Sequence, residues 1–210
     1  MPRTRIKICG IRDADHAAAA ADAGADAVGF VFVRTSARFI EPDAAWKIIG
    51  TLPPLVSSVG VFVNASLDTF SDIEELCPTT YSQLQGSEPE RLVRECGPGV
   101  IKAVRFDPAT IESELRRWDA IEEVDAILID GSAGGEGAAF DWSLLKPHLA
   151  AIAKPIILAG GLTPQNVAQA IREIRPFAVD VSSGVEREKG VKDPTLIESF
   201  CRAVHGADRV

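Results

Sequence analysis

The sequence predicts an α/β protein, a single-domain (β/α)8 TIM barrel spanning residues 1–210. Three observations point there. A short apolar, β-branched run, a turn and an amphipathic stretch recur eight times along the chain. No Gly/Ser-rich or Pro-rich linker and no low-complexity stretch interrupts that rhythm. The 210 residues suffice for one domain with a sizeable core, near the lower end of the usual size for such barrels.

The strand runs, in order, are Arg5–Cys9, Ala27–Phe32, Ser58–Val63, Tyr81–Leu84, Val100–Val104, Ala126–Asp130, Pro155–Ala159 and Ala178–Val181. Their shortness and flanking turn residues favour strand over helix. Between and after them lie the helical stretches. Asp13–Ala23 is rich in alanine and opens on a capping aspartate. Pro42–Gly50, Leu67–Leu76, Glu88–Glu95, Pro108–Asp119, Trp142–Ala151, Pro164–Ile174 and Pro194–Val204 follow. Prolines 42, 108, 164 and 194 sit where a first helical turn accepts a residue without an N–H. Strict alternation implies parallel strands joined by right-handed crossovers. A doubly wound open sheet is the alternative. Against it, Cys9-Gly10-Ile11-Arg12 after the first strand is not the GxGxxG loop of a dinucleotide fold.

Composition narrows the function classes. Hydrophobic residues make up 46% and charged residues 25%, as in a soluble globular chain. A formal net charge of −8 argues against nucleic-acid and anionic-membrane partners, which need a basic face. It leaves room for an anionic small molecule in a locally positive pocket. The N-terminal MPRTRIKICG has no long apolar run followed by a cleavage site, so no signal peptide is expected, and no apolar run is long enough to span a membrane. Cys9, Cys77, Cys96 and Cys201 are scattered without a CxxC pair, so disulfides and zinc are not expected and a cytoplasmic location is.

In a barrel the chemistry sits at the C-terminal ends of the strands, with phosphate held by the loops after strands 7 and 8. Gly160-Gly161 and Ser183-Gly184 fall at those two places. Glycines let backbone N–H groups approach an anion, and the helix start beyond Thr163-Pro164 adds a favourable dipole. Alone, either glycine pair could simply make a tight turn.

Cys9 ends the first strand and Asp130 the sixth. A free cysteine is commonly a packed small hydrophobe, and an aspartate after a strand is commonly a turn residue or cap. Together at the mouth they are a candidate base and acid for proton transfer. Arg38, in the segment after strand 2, is either a solvated charge or a planar clamp for a carboxylate. Lys7 shares the parity of Cys9 and should point into the barrel, where a buried ammonium needs an anion. Asp180 on the neighbouring strand 8 is expected to face it and hold the floor of the site. Cys77, Cys96 and Cys201 are read as packing residues. His16, His148 and His205 lie away from strand ends, so no metal site is expected.

Several segments, in order from Lys7 to about Asp193, resemble the phosphoribosylanthranilate isomerase family. They are Lys7-Ile8-Cys9-Gly10, Gly29-Phe30-Val31-Phe32 with Ser36-Ala37-Arg38-Phe39, and Val59-Gly60-Val61-Phe62-Val63-Asn64. The next are Gly134-Gly135-Glu136-Gly137 with Phe140-Asp141-Trp142, and Leu158-Ala159-Gly160-Gly161-Leu162. Val179-Asp180-Val181-Ser182-Ser183-Gly184-Val185-Glu186 and Gly190-Val191-Lys192-Asp193 complete the set. Each piece alone is weak; the ordered set is specific.

The resemblance implies a cofactor-free Amadori rearrangement of N-(5-phosphoribosyl)anthranilate to 1-(2-carboxyphenylamino)-1-deoxyribulose 5-phosphate in tryptophan biosynthesis. It implies Asp130 as general acid on the ring oxygen and Cys9 as general base at C2. Arg38 would hold the anthranilate carboxylate and the glycine loops the phosphate. The thiol must reach the thiolate form, so its surroundings are expected to lower its pKa, and those of Asp130 to raise its own. The partner is a small sugar phosphate, and the assembly a monomer or a homodimer. Two positions depart from the family pattern. Gln85 stands where a histidine usually precedes the glycine, and Glu136 where small hydroxyl residues are common. Other sugar-phosphate barrels fit less well. Pentose-phosphate epimerases would need metal ligands at strand ends, and histidine-pathway isomerases carry two aspartates. A non-catalytic phosphate-binding barrel would have lost the acid or the base.

Overall fold

The chain is described from a computed structural model covering residues 3–131 and 141–208. The Gly134–Gly137 turn, with Glu136, and Phe140 lie outside the described residues. Strands β1 (Arg5–Cys9), β2 (Ala27–Val31), β3 (Ser57–Phe62), β4 (Tyr81–Leu84), β5 (Val100–Arg105), β6 (Val124–Asp130), β7 (Ile156–Ala159) and β8 (Ala178–Val181) form a closed barrel in sequence order. Every neighbouring pair is parallel, including the closing pair β1–β8. The closed ring excludes the open-sheet alternative.

Alternation along each strand divides two cores. One set of side chains, including Val59, Ile101, Ala103, Leu128 and Ile157, fills the barrel interior. The other, including Ile6, Ile8, Val28, Ile127, Leu158 and Val179, packs outward against the helices. These are α1 (Ala14–Asp22), α2 (Pro42–Ile49), α3 (Leu67–Leu76), α4 (Glu90–Glu95), α5 (Ile111–Asp119), α6 (Val167–Ile174) and α7 (Pro194–Ala207). Asp13 caps α1 by accepting from the His16 N–H at 2.8 Å, as its position predicts. Pro42 and Pro194 occupy first helical turns.

Four expectations need correction. The stretch Trp142–Ala151 is not a helix but two 3₁₀ turns, Trp142–Leu144 and Lys146–His148. Pro147 lacks the N–H that an α-helix would need there, so the backbone closes short i→i+3 turns instead. Pro108 and Pro164 lie in turns before α5 and α6 rather than in their first turns. At Thr163 the N–H goes to the Asn166 side chain at 2.8 Å, a local turn that competes with the helix. Finally α4 starts at Glu90, because Glu88 turns inward to Lys102 on β5. After β8 comes an additional 3₁₀ turn, Ser183–Val185, then a small antiparallel pair, β9 (Glu186–Glu188) and β10 (Val191–Lys192).

Candidate active site

A cavity of about 220 Å³ opens at the C-terminal ends of the strands. Cys9, Arg38, Asp130, Gly160, Gly161, Ser183 and Asp180 all line it. The sequence-predicted residues therefore converge on one mouth, although they come from five parts of the chain. Gly184 takes a different position: a Cβ there would lie 1.9 Å from the Leu162 carbonyl oxygen, so the loops after β7 and β8 touch backbone to backbone.

The floor is ionic. Lys7 and Asp180 are register partners across β1–β8, and Lys7 Nζ donates to Asp180 Oδ1 at 2.8 Å with both side chains buried. Burial by itself would lower Lys7; the Asp180 carboxylate, helped by Cys9, reverses this and raises it above the ordinary lysine value. Cys9 sits above that pair, two residues further along β1. Its neighbour across the ladder is Gly29, where a Cβ would lie 2.8 Å from Cys9 Sγ and 3.3 Å from Lys7 Cε. A side chain at position 29 would fill the space the thiol occupies.

The Cys9 thiol is pushed up, not down as its expected role suggested. Burial is the largest influence, and it outweighs the lowering by the Lys7 and Lys192 ammonium groups; Asp180 adds to the rise. The other cysteines behave as packing residues. All are buried, and burial pushes Cys77 and Cys96 up to about 11 and Cys201 to about 12.

Arg38 does hold a carboxylate, but one of the protein's own. Its Nε and Nη2 donate to Glu186 Oε1 and Oε2 at 2.7 and 2.8 Å. Lys192 Nζ joins them, donating to Glu186 Oε1 at 2.9 Å and to the Ser182 carbonyl at 2.9 Å. Burial pushes Glu186 up, but Arg38 and Lys192 outweigh it and hold the carboxyl below its ordinary value. Two cations against one anion leave this corner of an acidic protein locally positive. The bidentate pair fixes the guanidinium plane of a residue that also lines the cavity.

Asp130 ends β6, between Arg105 and Ala159 on the flanking strands. Its Oδ2 accepts from Gln85 Nε2 at 2.9 Å. Gly160 has φ +88° and Gly161 φ +66°. A Cβ at Gly160 would lie 2.3 Å from the Gly131 nitrogen and 2.7 Å from Asp130 Oδ1, so glycine is required by shape as well as by backbone conformation. Three functional neighbours, Glu186, Lys192 and Gln83, went unassigned from sequence. The first two lie inside family-like segments but reach the mouth only through the β9–β10 hairpin. Gln83 shares the inward parity of Tyr81 and could have been found by it. Among the described residues no group of three or more His, Cys, Asp and Glu side chains could hold a metal ion.

A closed parallel barrel with a thiol, a carboxylate and a cationic corner at its C-terminal mouth defines the class: a (β/α)8-barrel enzyme acting on a small anionic molecule. The family model of N-(5'-phosphoribosyl)anthranilate isomerase matches residues 6–203. The N-(5'-phosphoribosyl)anthranilate isomerase of Pseudomonas putida strain GB-1 is 46% identical over 212 residues, covering 99% of this chain and 100% of its own. A solved phosphoribosylanthranilate isomerase in complex with reduced 1-(o-carboxyphenylamino)-1-deoxyribulose 5-phosphate is 41% identical, with a TM-score of 0.86 over 97% of this chain and 99% of that one. Monomers generated from the dimeric enzyme of Thermotoga maritima are 40% identical, with a TM-score of 0.84 and the same coverage. The chain belongs to the N-(5'-phosphoribosyl)anthranilate isomerase family, and its reaction is the Amadori rearrangement of that substrate in tryptophan biosynthesis.

Proposed function

We propose that Asp130 and Cys9 divide the proton transfers of this isomerisation between them. Asp130, as the acid, protonates the furanose ring oxygen. The C1–O bond breaks as the nitrogen lone pair forms a C1=N Schiff base. Cys9, as thiolate, takes the proton from C2, and the electron pair moves into a C1=C2 enolamine. A proton then arrives at C1 and one leaves the C2 hydroxyl, giving the ketone and restoring both groups. The Schiff base is itself the electron sink, so the reading needs no cofactor. The observation that carries it is one cavity lined by both groups, which sit on strands separated by β7 and β8. That spacing suits an acid and a base working on different atoms of one sugar.

Substrate binding is assigned to the same rim. The Gly160-Gly161 and Ser183-Gly184 loops are proposed to receive the phosphate on backbone N–H groups. Arg38, oriented by Glu186, is proposed to pair with the anthranilate carboxylate. The relative complexed with a reduced carboxyphenylamino-deoxyribulose phosphate supports a sugar-phosphate ligand. Buried, unpaired cysteines support a reducing, cytoplasmic setting, and no helix among the described residues is long and apolar enough to cross a membrane. Of monomer and homodimer, the dimeric Thermotoga relative supports the second.

The test is a turnover assay following the loss of anthranilate fluorescence. Cys9→Ala and Asp130→Asn, each shown to be folded, should cut kcat by about 10²-fold or more, the usual scale for a positioned proton-transfer group. KM should change much less, because Arg38 and the glycine loops remain. Near-parental turnover in both variants would sink the assignment.

A further inference from the structure

Lys192 is 1% exposed and does not line the cavity, so it stands behind the wall of the site rather than in it. What it reaches instead is the peptide that carries Cys9. Strands β1 and β8 stay in register up to Ile8 and Val181. At the next residue the ladder ends. Ser182 takes φ −125° and ψ −80°, outside the strand region, and leads into the 3₁₀ turn. Its side chain carries the seam one step further: Ser182 Oγ donates to the Cys9 carbonyl at 3.1 Å. Lys192 Nζ donates to the same Oγ at 3.3 Å, to the Ser182 carbonyl at 2.9 Å and to Glu186 Oε1 at 2.9 Å. Chemistry fixes the direction of each bond. An ammonium only donates and a carbonyl only accepts, so the single hydroxyl hydrogen goes to Cys9. Three acceptors match the three N–H bonds of the ammonium, as a buried charge requires.

The lysine is itself anchored. Lys192 pairs with Glu186 in the β9–β10 hairpin. The following residue, Asp193, donates its N–H to the Val185 carbonyl at 2.9 Å and caps α7 by accepting from the Thr195 N–H at 2.8 Å. The charged groups around the thiol are Lys7 on its own strand, Asp180 on β8, Lys192 on β10 and Arg38 after β2, with Asp130 on β6 lining the same cavity. Burial, the largest influence, lowers Lys192, opposed by the negative charge of Glu186 and of a Cys9 thiolate; the Lys192 ammonium in return favours that thiolate.

We propose that Lys192 and Ser182 are positioning residues for the proton abstraction: through the ammonium–hydroxyl–carbonyl chain they fix the peptide that carries the Cys9 thiol, and Lys192 supplies the thiolate with a second cation in addition to Lys7. This rests on the assignment of Cys9 as base. A loosened peptide lets Sγ drift from the C2 proton, and a misplacement of about 1 Å is enough to cost about 10²-fold in rate.

The test compares Lys192→Met, Ser182→Ala, Ser182→Thr and Cys9→Ala by steady-state kinetics on phosphoribosylanthranilate from neutral to alkaline pH, with thermal unfolding as a check on folding. Lys192→Met strands no charge, because Glu186 keeps its bidentate pair with Arg38. It should lower kcat/KM at neutral pH by about 10-fold, the scale of one nearby charge on one titrating group. The gap to the parent should narrow at alkaline pH, where the thiolate forms without help; a purely structural defect would lower the rate by one factor at every pH. Ser182→Ala removes the hydroxyl and leaves the cation. Its kcat should fall by about fivefold, the equivalent of one ordinary hydrogen bond, with KM changed less and the loss the same at every pH. Ser182→Thr, which keeps the hydroxyl, should recover most of it. If Lys192→Met does not fold, the serine variants decide alone. Parental kcat in Ser182→Ala, or a Lys192→Met loss that does not vary with pH, overturns the proposal while leaving the assignment of Cys9 intact. Near-parental turnover of Cys9→Ala overturns that assignment, and this proposal with it.

Discussion

At the scale of single residues, Cys9 shows two opposed influences on one thiol. Strand parity puts it inside the barrel, next to Lys7, where a cation should favour the thiolate. The same burial removes water from it, and burial wins. Parity was legible in the sequence, as the Lys7–Asp180 contact illustrates; the depth of burial was not, because it depends on how tightly β2 and β3 close around the sulfur. The consequence is measurable. In the proposed role Cys9 acts as thiolate, yet a thiol raised above its ordinary 9.0 is mostly protonated at neutral pH. The kcat/KM of the free enzyme should therefore keep rising as pH increases through 7 and 8 toward 9. A plateau reached below neutrality would contradict it. Arg38 shows a second limit of sequence reading: a planar clamp was foreseen, but Glu186, 148 residues away, could not be named as its partner. Arg38→Ala should mainly raise KM. Glu186→Gln should do the same more weakly, because it loosens the guanidinium without removing it.

At the scale of elements, the strands were legible and the loops were not. Each run of β-branched residues is bounded by turn chemistry, so strands such as Arg5–Cys9 and Tyr81–Leu84 fall where the pattern puts them. Trp142–Leu144 fails as a helix because its neighbour Pro147 withholds an N–H that local hydrophobicity does not reveal. The loops after β7 and β8 were legible as glycine-bearing pairs, but what each glycine packs against comes from the fold. Gly160 touches Asp130, whereas Gly184 touches the loop after β7. An added methyl should therefore have distinct kinetic effects at the two positions. Gly160→Ala pushes toward Asp130 Oδ1 and forces alanine to φ +88°, a left-handed conformation that costs roughly 1–2 kcal/mol. It should lower kcat as well as stability. Gly184→Ala pushes the Leu162 carbonyl and separates the two loops, so KM should rise while kcat falls less. Equal effects of the two substitutions on kcat would show that the loops do not act separately.

At the scale of the whole molecule, the barrel must close the first strand on the last, and polar contacts secure that seam. At the outer end of β1, Thr4 donates through its N–H and hydroxyl to Asp208 at 2.9 and 2.7 Å, tying the end of α7 to the start of the chain. Asp26 accepts from the Ile6 N–H at 2.8 Å on the opposite flank. Inside, Lys7 and Asp180 join β1 to β8. A buried pair gives stability only while both partners are present, since a lone buried charge is far costlier than an apolar replacement of the pair. Lys7→Met should therefore strand Asp180 and destabilise the fold by about 3–5 kcal/mol. The double variant Lys7→Met/Asp180→Leu should recover most of that stability, because two apolar groups can fill the floor without a desolvated charge. Linkage gives the sign with pH. The raised Lys7 contributes stability that is complete below the unfolded lysine value and is lost as pH climbs through the folded one. Urea denaturation at neutral pH measures both variants. A single variant as stable as the parent, or a double variant no more stable than the single, would show that the seam does not depend on this pair. If Cys9 is the base proposed above, turnover should stay low in the double variant even where stability returns, because the lowering of the buried thiol by Lys7 is lost and outweighs the smaller raising by Asp180 that is lost with it.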